Sequence, residues 1–227
     1  MPGLKRAEVV QGLLALFDQP RYLEIGVARG ITFHAVTAAH KVAVDPKFRF
    51  NIDEARSADP RAVYHPVTSD EYFGAIADPE IPFDVINLDG LHTVEQTLRD
   101  FTNALAFLTP AGVILIDDVV PSSYVASLRD LKRYRMLREA LQVQSTEWMG
   151  DVYRLVFFIE TFCQQISYRT IADNHGQLVA WRKRRPMVPE RRIEDIGCLP
   201  YEEVVLQKSA FRFASFADII GELKQRG

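Results

Sequence analysis

Acidic side chains directly follow two apolar runs of the sequence that read as buried strands. One run ends in Asn87-Leu-Asp89-Gly-Leu-His92 and the next ends in Asp117-Asp118. If the two runs are neighbouring parallel strands, these aspartates meet at the sheet edge where ligands of open α/β sheets bind. Carboxylates this close repel one another, and a hard divalent cation such as Mg²⁺ relieves that repulsion. The pattern therefore predicts a magnesium site made of Asp89, Asp117 and Asp118.

His92 is the candidate base beside this metal site, because it follows Asp89 by three residues. Its imidazole can face the same cavity and take a proton from a hydroxyl that the metal has made more acidic. Each residue also has an ordinary structural explanation: a helix N-cap for Asp89, a loop acid for Asp118 and a surface histidine for His92. Their shared position at predicted strand ends favours one common site.

A second segment with possible chemistry reads Glu24-Ile-Gly26-Val-Ala-Arg-Gly30 and joins a strand to a helix. Glycine permits a tight turn and lets a ligand approach the backbone. Asp45 ends the next predicted strand, where an acid can accept hydrogen bonds from ribose hydroxyls. The Gly-x-Gly-x-x-Gly pattern of pyrophosphate binders is missing, and a buried acid at position 24 would repel a pyrophosphate. Because S-adenosylmethionine carries an ammonium and a sulfonium, this segment favours it over a dinucleotide.

These residues need a parallel sheet to bring them together, and the hydrophobic pattern predicts one. Five short apolar runs alternate with stretches of helical periodicity, and two further runs flank the turn Ala-Asp-Asn-His-Gly, which is typical of a hairpin. We therefore expect a Rossmann-like, doubly wound α/β fold. Its mostly parallel sheet would have seven strands, a C-terminal antiparallel hairpin and helices on both faces. The predicted strands are 22–25, 41–45, 62–65, 83–88, 113–116, 167–171 and 178–181, and the main predicted helices are 4–17, 31–40, 51–58, 71–77, 93–108 and 216–224.

Composition excludes several classes of protein. The 227 residues include 27 Lys plus Arg and 30 Asp plus Glu, and a net charge of -3 gives no electrostatic case for a nucleic-acid partner. No apolar run approaches the ~20 residues that span a bilayer. The N-terminus has neither an uninterrupted apolar core nor a cleavage site, so we expect a cytoplasmic protein without a signal peptide. Cys163 and Cys198 match no zinc motif.

No linker divides the chain, so the sequence predicts one domain over residues 1–227. Within it we expect a cofactor-binding core over residues 1–122. The charged segment 123–150 is either a lid over the acceptor or a helix whose basic face is solvated, and 184–227 would be a C-terminal extension.

The strings Tyr-Leu-Glu-Ile-Gly-Val-Ala-Arg-Gly, Ala-Val-Asp-Pro, Phe-Asp-Val-Ile-Asn-Leu-Asp-Gly-Leu-His-Thr and Gly-Val-Ile-Leu-Ile-Asp-Asp-Val resemble the motifs of class I S-adenosylmethionine-dependent methyltransferases. They occur in the right order at the predicted strand ends. The resemblance is to small bacterial enzymes with Asp-Gly-x-His, near the macrolide and deoxysugar O-methyltransferases. The catechol O-methyltransferases are more distant but share the metal arrangement.

The resemblance implies a role for each motif residue. Glu24 and Gly26 would line the methionine part of the cofactor, and Gly30 would belong to the same cofactor-binding turn. Asp45 would bind the ribose, and Thr68 and Ser69 would lie near the adenine. Asp89 would lie beside the cofactor and bind the metal together with Asp117 and Asp118, and His92 would be the base. The catechol enzymes have a lysine where this chain has His92.

Together these observations predict an S-adenosylmethionine-dependent O-methyltransferase that uses a divalent metal, Mg²⁺ by preference. The acceptor would be a hydroxyl group of a sugar, nucleotide-sugar or natural product, and the resemblance implies a homodimer. One alternative is a metal-independent methyltransferase, in which the acids only cap and orient. Another is a nucleotide- or NAD-binding Rossmann-type protein, although its glycine pattern is missing. Nucleic-acid amino methylation usually needs Asn/Asp-Pro-Pro-aromatic where this chain has Asn-Leu-Asp-Gly.

Overall fold

Eight strands form one sheet in the computed structural model of the protein, which describes residues 3–225. The strand order is β3-β2-β1-β4-β5-β7-β6-β8. The first five strands are parallel, β7 is antiparallel to both of its neighbours, and β8 is parallel to β6. The strands are β1 (Arg21–Ile25), β2 (His40–Val44), β3 (Ala62–His65), β4 (Phe83–Leu88), β5 (Leu108–Ile116), β6 (Ile166–Ile171), β7 (Leu178–Arg182) and β8 (Phe213–Ala214).

Helices pack against both faces of this sheet. α1, α2 and α10 lie together on one face, and α5 and α7 pack on the other. No helix in the described range is long and apolar enough to cross a membrane. The α-helices are α1 (Arg6–Leu14), α2 (Ile31–Ala35), α3 (Ile52–Ala58), α4 (Ser69–Glu71), α5 (Val94–Ala106), α6 (Leu131–Ala140), α7 (Arg154–Phe162), α8 (Ile193–Gly197), α9 (Glu202–Leu206) and α10 (Phe216–Lys224), with a π-helical turn at Tyr72–Ile76 and a 3₁₀ turn at Lys208–Phe211.

The predicted fold class is confirmed, but the strand count of seven is wrong. The additional strand is β8, whose two residues pair with Thr170 and Ile171 of β6. Two residues are too short for an alternating pattern, so local sequence carries no sign of this strand. It forms because the C-terminal segment is packed against the sheet edge, with Phe211 fully buried in the core.

Two predicted element boundaries are wrong by five residues, and tertiary contacts explain one of them. The helix expected over 31–40 ends at Ala35, and the backbone is already extended at Val36. Beyond it, the side chain of Gln11 accepts from the Thr37 backbone N–H at 2.8 Å and donates to the Thr37 carbonyl at 3.3 Å. These bonds to α1 satisfy backbone groups that a continued helix would have used.

The second wrong boundary concerns the strand expected over 113–116, which begins at Leu108 instead. Phe83 of β4 pairs with Leu108, and the next paired residue, Val85, meets Val113. The Thr-Pro-Ala-Gly segment between them is therefore an irregular excursion within β5 and not a loop that precedes it.

The strand register fixes where the chemical groups lie. Ile25 pairs with Leu88, and Leu88 pairs with Ile116, so β1, β4 and β5 end at one level. Gly26, Asp89 and Asp117 directly follow β1, β4 and β5, so all three residues lie at the same edge of the sheet.

Candidate active site

A cluster of three aspartates lies at the carboxyl ends of β4 and β5. Asp117 and Asp118 are 3% and 5% exposed, whereas Asp89 is half-buried. Asp118 has a φ of 61°, a left-handed conformation that is uncommon for residues other than glycine. Strained backbone of this kind persists where surrounding contacts hold it, and it is frequent at functional sites.

Asp117 is held by two side chains, His175 and Arg6. The Nε2 atom of His175 lies 2.6 Å from Asp117 Oδ1, which also accepts the Asp118 backbone N–H at 2.9 Å. The Arg6 guanidinium forms an ion pair with Asp117 Oδ2. Burial by itself would raise the pKa of Asp117, but the His175 hydrogen bond and the Arg6 charge lower it below its ordinary value. Asp117 therefore stays ionised within the cluster.

The other two aspartates are less well compensated. Burial raises the pKa of Asp89 well above its ordinary value, and the charges of Asp117 and Asp118 add to the effect. Burial and the charge of Asp117 also raise the pKa of Asp118. Both carboxyls would gain from a further cation beside them.

His92 is oriented by a second contact of Asp118. Its Nδ1 lies 2.6 Å from the Trp148 carbonyl oxygen and 3.0 Å from Asp118 Oδ2. Because both oxygens can only accept, Nδ1 carries the proton. Nε2 is 3.7 Å from Asp89 Oδ1, too far for a hydrogen bond, and is free to accept. Burial is the largest single influence and lowers the pKa of His92, but the hydrogen bond and charge of Asp118, the Trp148 carbonyl and the charge of Asp117 together raise the pKa above its ordinary value.

Trp148 and Gly150 complete the surroundings of His92. The indole stacks on the imidazole with ring centroids 5.0 Å apart and planes inclined by 16°. Gly150 has a φ of 60°, and a Cβ there would meet the His92 carbonyl oxygen at 1.8 Å. Only glycine lets the chain that carries Trp148 come this close to His92.

Two cavities open beside the acid cluster, and Arg6 and His92 line both. The glycine-loop cavity, of about 570 Å³, is bordered by the turn after β1 and the ends of β2 and β4. The N-terminal cavity, of about 810 Å³, is walled by residues 4–7, the start of α2 and residues 146–149. Asp118 and His175 face the N-terminal cavity, whereas Asp89 faces the glycine-loop cavity. His92 is thus placed to act between ligands in the two cavities.

Five of the seven predicted cofactor residues line the glycine-loop cavity: Gly26, Asp45, Thr68, Ser69 and Asp89. Asp45 Oδ2 accepts the Ala28 N–H at 2.9 Å, and its Oδ1 accepts the Lys47 N–H at 2.7 Å. Each carboxylate oxygen keeps a lone pair for a ligand hydroxyl.

Glu24 and Gly30, the other two, are not among the described residues that line this cavity. Glu24 is buried behind the wall, where its Oε2 accepts the Tyr22 hydroxyl at 2.5 Å. Burial raises the pKa of Glu24 to about 7, although the Tyr22 hydrogen bond and the Lys41 charge oppose the shift. Gly30 precedes α2 as its N-cap. Glu24 therefore lies behind the turn, and Gly30 ends it at the start of α2.

Comparison with known proteins identifies this arrangement. Residues 23–119 match a family model described as a methyltransferase domain. The match identifies residues 23–119 as a methyltransferase domain. The matched range contains both the glycine turn and the acid cluster. A comparison with curated proteins gave no significant match.

Solved structures share the fold of this methyltransferase domain. A proposed caffeoyl-CoA O-methyltransferase from Staphylococcus aureus is 14% identical, with a TM-score of 0.55 over 80% of this chain and 85% of that one. Cofactor-bound Rv0187 from MTB is 16% identical, with a TM-score of 0.54 over 80% and 82%. An O-methyltransferase from Bacillus cereus in complex with SAH is 19% identical, with a TM-score of 0.51 over 79% and 82%. At these identities the likeness shows an O-methyltransferase-like fold.

The donor atoms of the methyltransferase domain fit a divalent cation in part. One ligand atom each of Asp89, His92 and Asp118 lie within 4.8 Å of one another. The oxygens of Asp89 and Asp118 suit a hard cation such as Mg²⁺. Asp117, the third predicted ligand, belongs to a second such group with Asp118 and His175, and its two oxygens contact His175 and the Arg6 guanidinium.

Arg6, His175 and Trp148 are site residues that the sequence did not reveal. His175 lies in the hairpin turn that was predicted, and a titratable residue beside the ligand edge was a usable sign. Arg6 and Trp148 had no such sign, because each reaches the cluster from a segment outside the parallel core.

Proposed function

We propose that the protein transfers the methyl group of S-adenosylmethionine to a hydroxyl group of a small molecule. One observation carries this proposal: His92 lines both cavities, while its Nδ1 is fixed by the Trp148 carbonyl and by Asp118, which leaves Nε2 as the nitrogen that can act as a base. A base in that position can take the proton of an acceptor hydroxyl that meets the cofactor there.

The glycine-loop cavity is the cofactor site in this proposal. Asp45 would accept hydrogen bonds from the ribose hydroxyls, and Thr68 and Ser69 border the far end, where the adenine would lie. Asp89 supplies negative charge beside the sulfonium and ammonium groups. The sulfonium methyl is already activated, so the main task of the protein is to align it with the acceptor and to exclude water.

The N-terminal cavity is the acceptor site. Thr146, Glu147, Trp148 and Met149 line it, so the end of the 123–150 segment would act as the acceptor lid. Its size admits a sugar, a nucleotide-sugar or a natural product of similar bulk. Basic residues of α6 are not among the described residues that line it, which leaves them no direct part in binding a phosphate there.

His92 and Asp118 would together carry out the proton transfer. Asp118 would stabilise the imidazolium that forms as His92 Nε2 takes the hydroxyl proton, because it hydrogen-bonds the opposite nitrogen. Asp89 and Asp118 would hold a divalent metal, which supplies a Lewis acid that makes the acceptor hydroxyl more acidic.

The deciding experiment is a calorimetric titration with S-adenosylhomocysteine, with NAD as the control ligand. We expect micromolar binding of the first and none of the second. An acceptor screen with Mg²⁺ or EDTA then follows, and loss of methyl transfer in EDTA would support the metal. Preferential binding of NAD would overturn the proposal.

Replacing Asp45 with Ala is expected to weaken binding of S-adenosylhomocysteine by about 10–100-fold. A hydrogen bond to a charged group contributes about 1.5–3 kcal/mol, and tenfold in affinity corresponds to about 1.4 kcal/mol. Calorimetry measures the change. The control is Asp53→Ala, because the Asp53 side chain is 91% exposed on α3. Equal affinity in the Asp45 variant and the wild type would remove this residue from the cofactor site.

The pH dependence of kcat is expected to report the contact between His92 and Asp118. The base works only when neutral, so kcat falls as pH drops through the His92 pKa. Asp118 raises that pKa above the ordinary value of about 6.5. In Asp118→Asn the acidic limb of the profile should therefore move to lower pH, whereas in Asp53→Asn it should stay in place. A limb that stays in place in Asp118→Asn would show that another group controls it.

A further inference from the structure

Arg6, the first residue of α1, reaches into the acid cluster from outside the matched methyltransferase domain. It forms an ion pair with Asp117, and its Nη2 lies 3.7 Å from Asp118 Oδ1. Within residues 3–225 it is the only lysine or arginine that forms an ion pair with either aspartate. Its Nε also lies 3.2 Å from His175 Nε2. Arg6 of α1 and His175 of the turn between β6 and β7 therefore meet at the Asp117 carboxylate.

The guanidinium provides the charge balance that the cluster needs. The side chain of Asp117 is 1% exposed, and an ionised carboxylate so deeply buried is strongly unfavourable without a cation beside it. A divalent cation bound by Asp89 and Asp118 would stand within a few ångströms of Arg6. Two cations at that distance repel one another in a poorly hydrated site.

We propose that Arg6 and the divalent metal compete for the acid cluster, so that metal binding releases Arg6 from Asp118 and Asp117. The inference rests on the metal of the proposed function. It assigns Arg6 a role of its own, as the cation that occupies the cluster when no metal is bound.

Release of Arg6 would change the contacts of the segment that forms one wall of the acceptor site. Leu4, Lys5, Arg6 and Ala7 all line the N-terminal cavity. Residues 4–7 are tied to the rest of the protein through Arg6 and through the Leu4 N–H, which donates to the Asp173 carbonyl at 2.9 Å. Loss of the Arg6 contacts leaves this wall with one fewer anchor. Metal binding would therefore make residues 4–7 more mobile at the same time as it completes the site for reaction with the acceptor.

The test is calorimetric titration of MnCl₂ into the wild type, Arg6→Met and Lys5→Met. Coupled binding events change affinity by about 5–150-fold. We expect Arg6→Met to bind Mn²⁺ at least about tenfold more tightly than the wild type does. Lys5→Met removes the same charge from the same wall, but Lys5 has no ion pair with the acids among the described residues. Its affinity should stay within about threefold of the wild type.

Each outcome separates this inference from the proposed function. Equal or weaker Mn²⁺ binding by Arg6→Met overturns the competition and leaves the metal proposal standing. No binding by any of the proteins overturns both the competition and the metal, whereas the titration with S-adenosylhomocysteine still decides methyl transfer independently.

A second measurement uses the wild type alone, because Arg6→Met leaves Asp117 with less compensation and could unfold. Amide hydrogen exchange of residues 3–14 should become faster when MnCl₂ is added, while exchange in α5 stays the same or slows. Unchanged or slower exchange over residues 3–14 in metal-bound protein overturns the inference.

Discussion

Replacing His92 with Ala is expected to lower kcat by about 10²–10⁴-fold, the usual contribution of a positioned general base. The loss follows from the geometry of the imidazole, whose Nδ1 is committed to the Trp148 carbonyl and to Asp118 and whose Nε2 faces the two cavities. Water that fills the vacated space lacks both the basicity and the orientation. The change is measured as single-turnover methyl transfer at saturating cofactor, so that product release does not mask the chemical step.

The control for this variant is His40→Ala, which removes an exposed histidine at the start of β2 and should leave kcat unchanged. Affinity for S-adenosylhomocysteine should change little in either variant, because the Asp45 contacts stay intact. If chemistry is rate-limiting and His92→Ala retains the wild-type rate, His92 is not the base, and the metal would have to activate the hydroxyl without it.

The proximity of the three aspartates could be predicted from the sequence, because the end of a strand can be recognised from the local pattern of residues. Each apolar run ends at its acid, and parallel connections place successive strand ends on one edge. The sequence pattern alone therefore predicted that Asp89, Asp117 and Asp118 lie close together, without any information on helix packing. Thr68 and Ser69, by contrast, were implied only by the resemblance to class I methyltransferases.

The charge balance of the cluster could not be predicted in the same way. Arg6 and His175 lie 169 residues apart in sequence and meet only because α1 packs beside the β6–β7 turn. Asp117 consequently contacts His175 Nε2 through one oxygen and the Arg6 guanidinium through the other, two partners that the sequence pattern did not indicate. Long-range contacts of this kind depend on tertiary packing, which cannot be predicted from the periodicity of a local stretch of sequence.

Glu24 shows a second limit of the sequence pattern. An acid directly before the glycine turn was expected beside the cofactor, but the alternation of β1 turns it to the same face as Tyr22, whose hydroxyl it accepts. With the pKa of Glu24 raised to about 7, the carboxyl carries only part of a charge near neutral pH. Its influence on a cationic ligand is therefore weaker than the sequence alone indicated.

Replacing Gly26 with Ala is expected to weaken cofactor binding and to destabilise the fold. Gly26 has a φ of 88°, and a Cβ there would meet the Asp89 carbonyl oxygen at 1.8 Å and the Gly90 Cα at 2.7 Å. The unfavourable backbone conformation by itself costs about 1–3 kcal/mol. Relief of the clash must push β1 away from the end of β4 and so displace Asp89. We expect unfolding free energy to fall by at least about 2 kcal/mol.

Denaturant unfolding measures this destabilisation, and calorimetry with S-adenosylhomocysteine measures the accompanying loss of affinity, which we expect to exceed about tenfold. Gly221→Ala is the matched control, because an added Cβ in that turn of α10 meets no atom within 4 Å. Alanine is favoured over glycine inside a helix by roughly 0.5–1 kcal/mol, so this control should be as stable as the wild type or more stable. Because both variants add the same methyl group, a difference between them isolates the close approach of the glycine turn to Asp89. Wild-type affinity in Gly26→Ala would show that β1 and β4 can separate without disturbing the cofactor site.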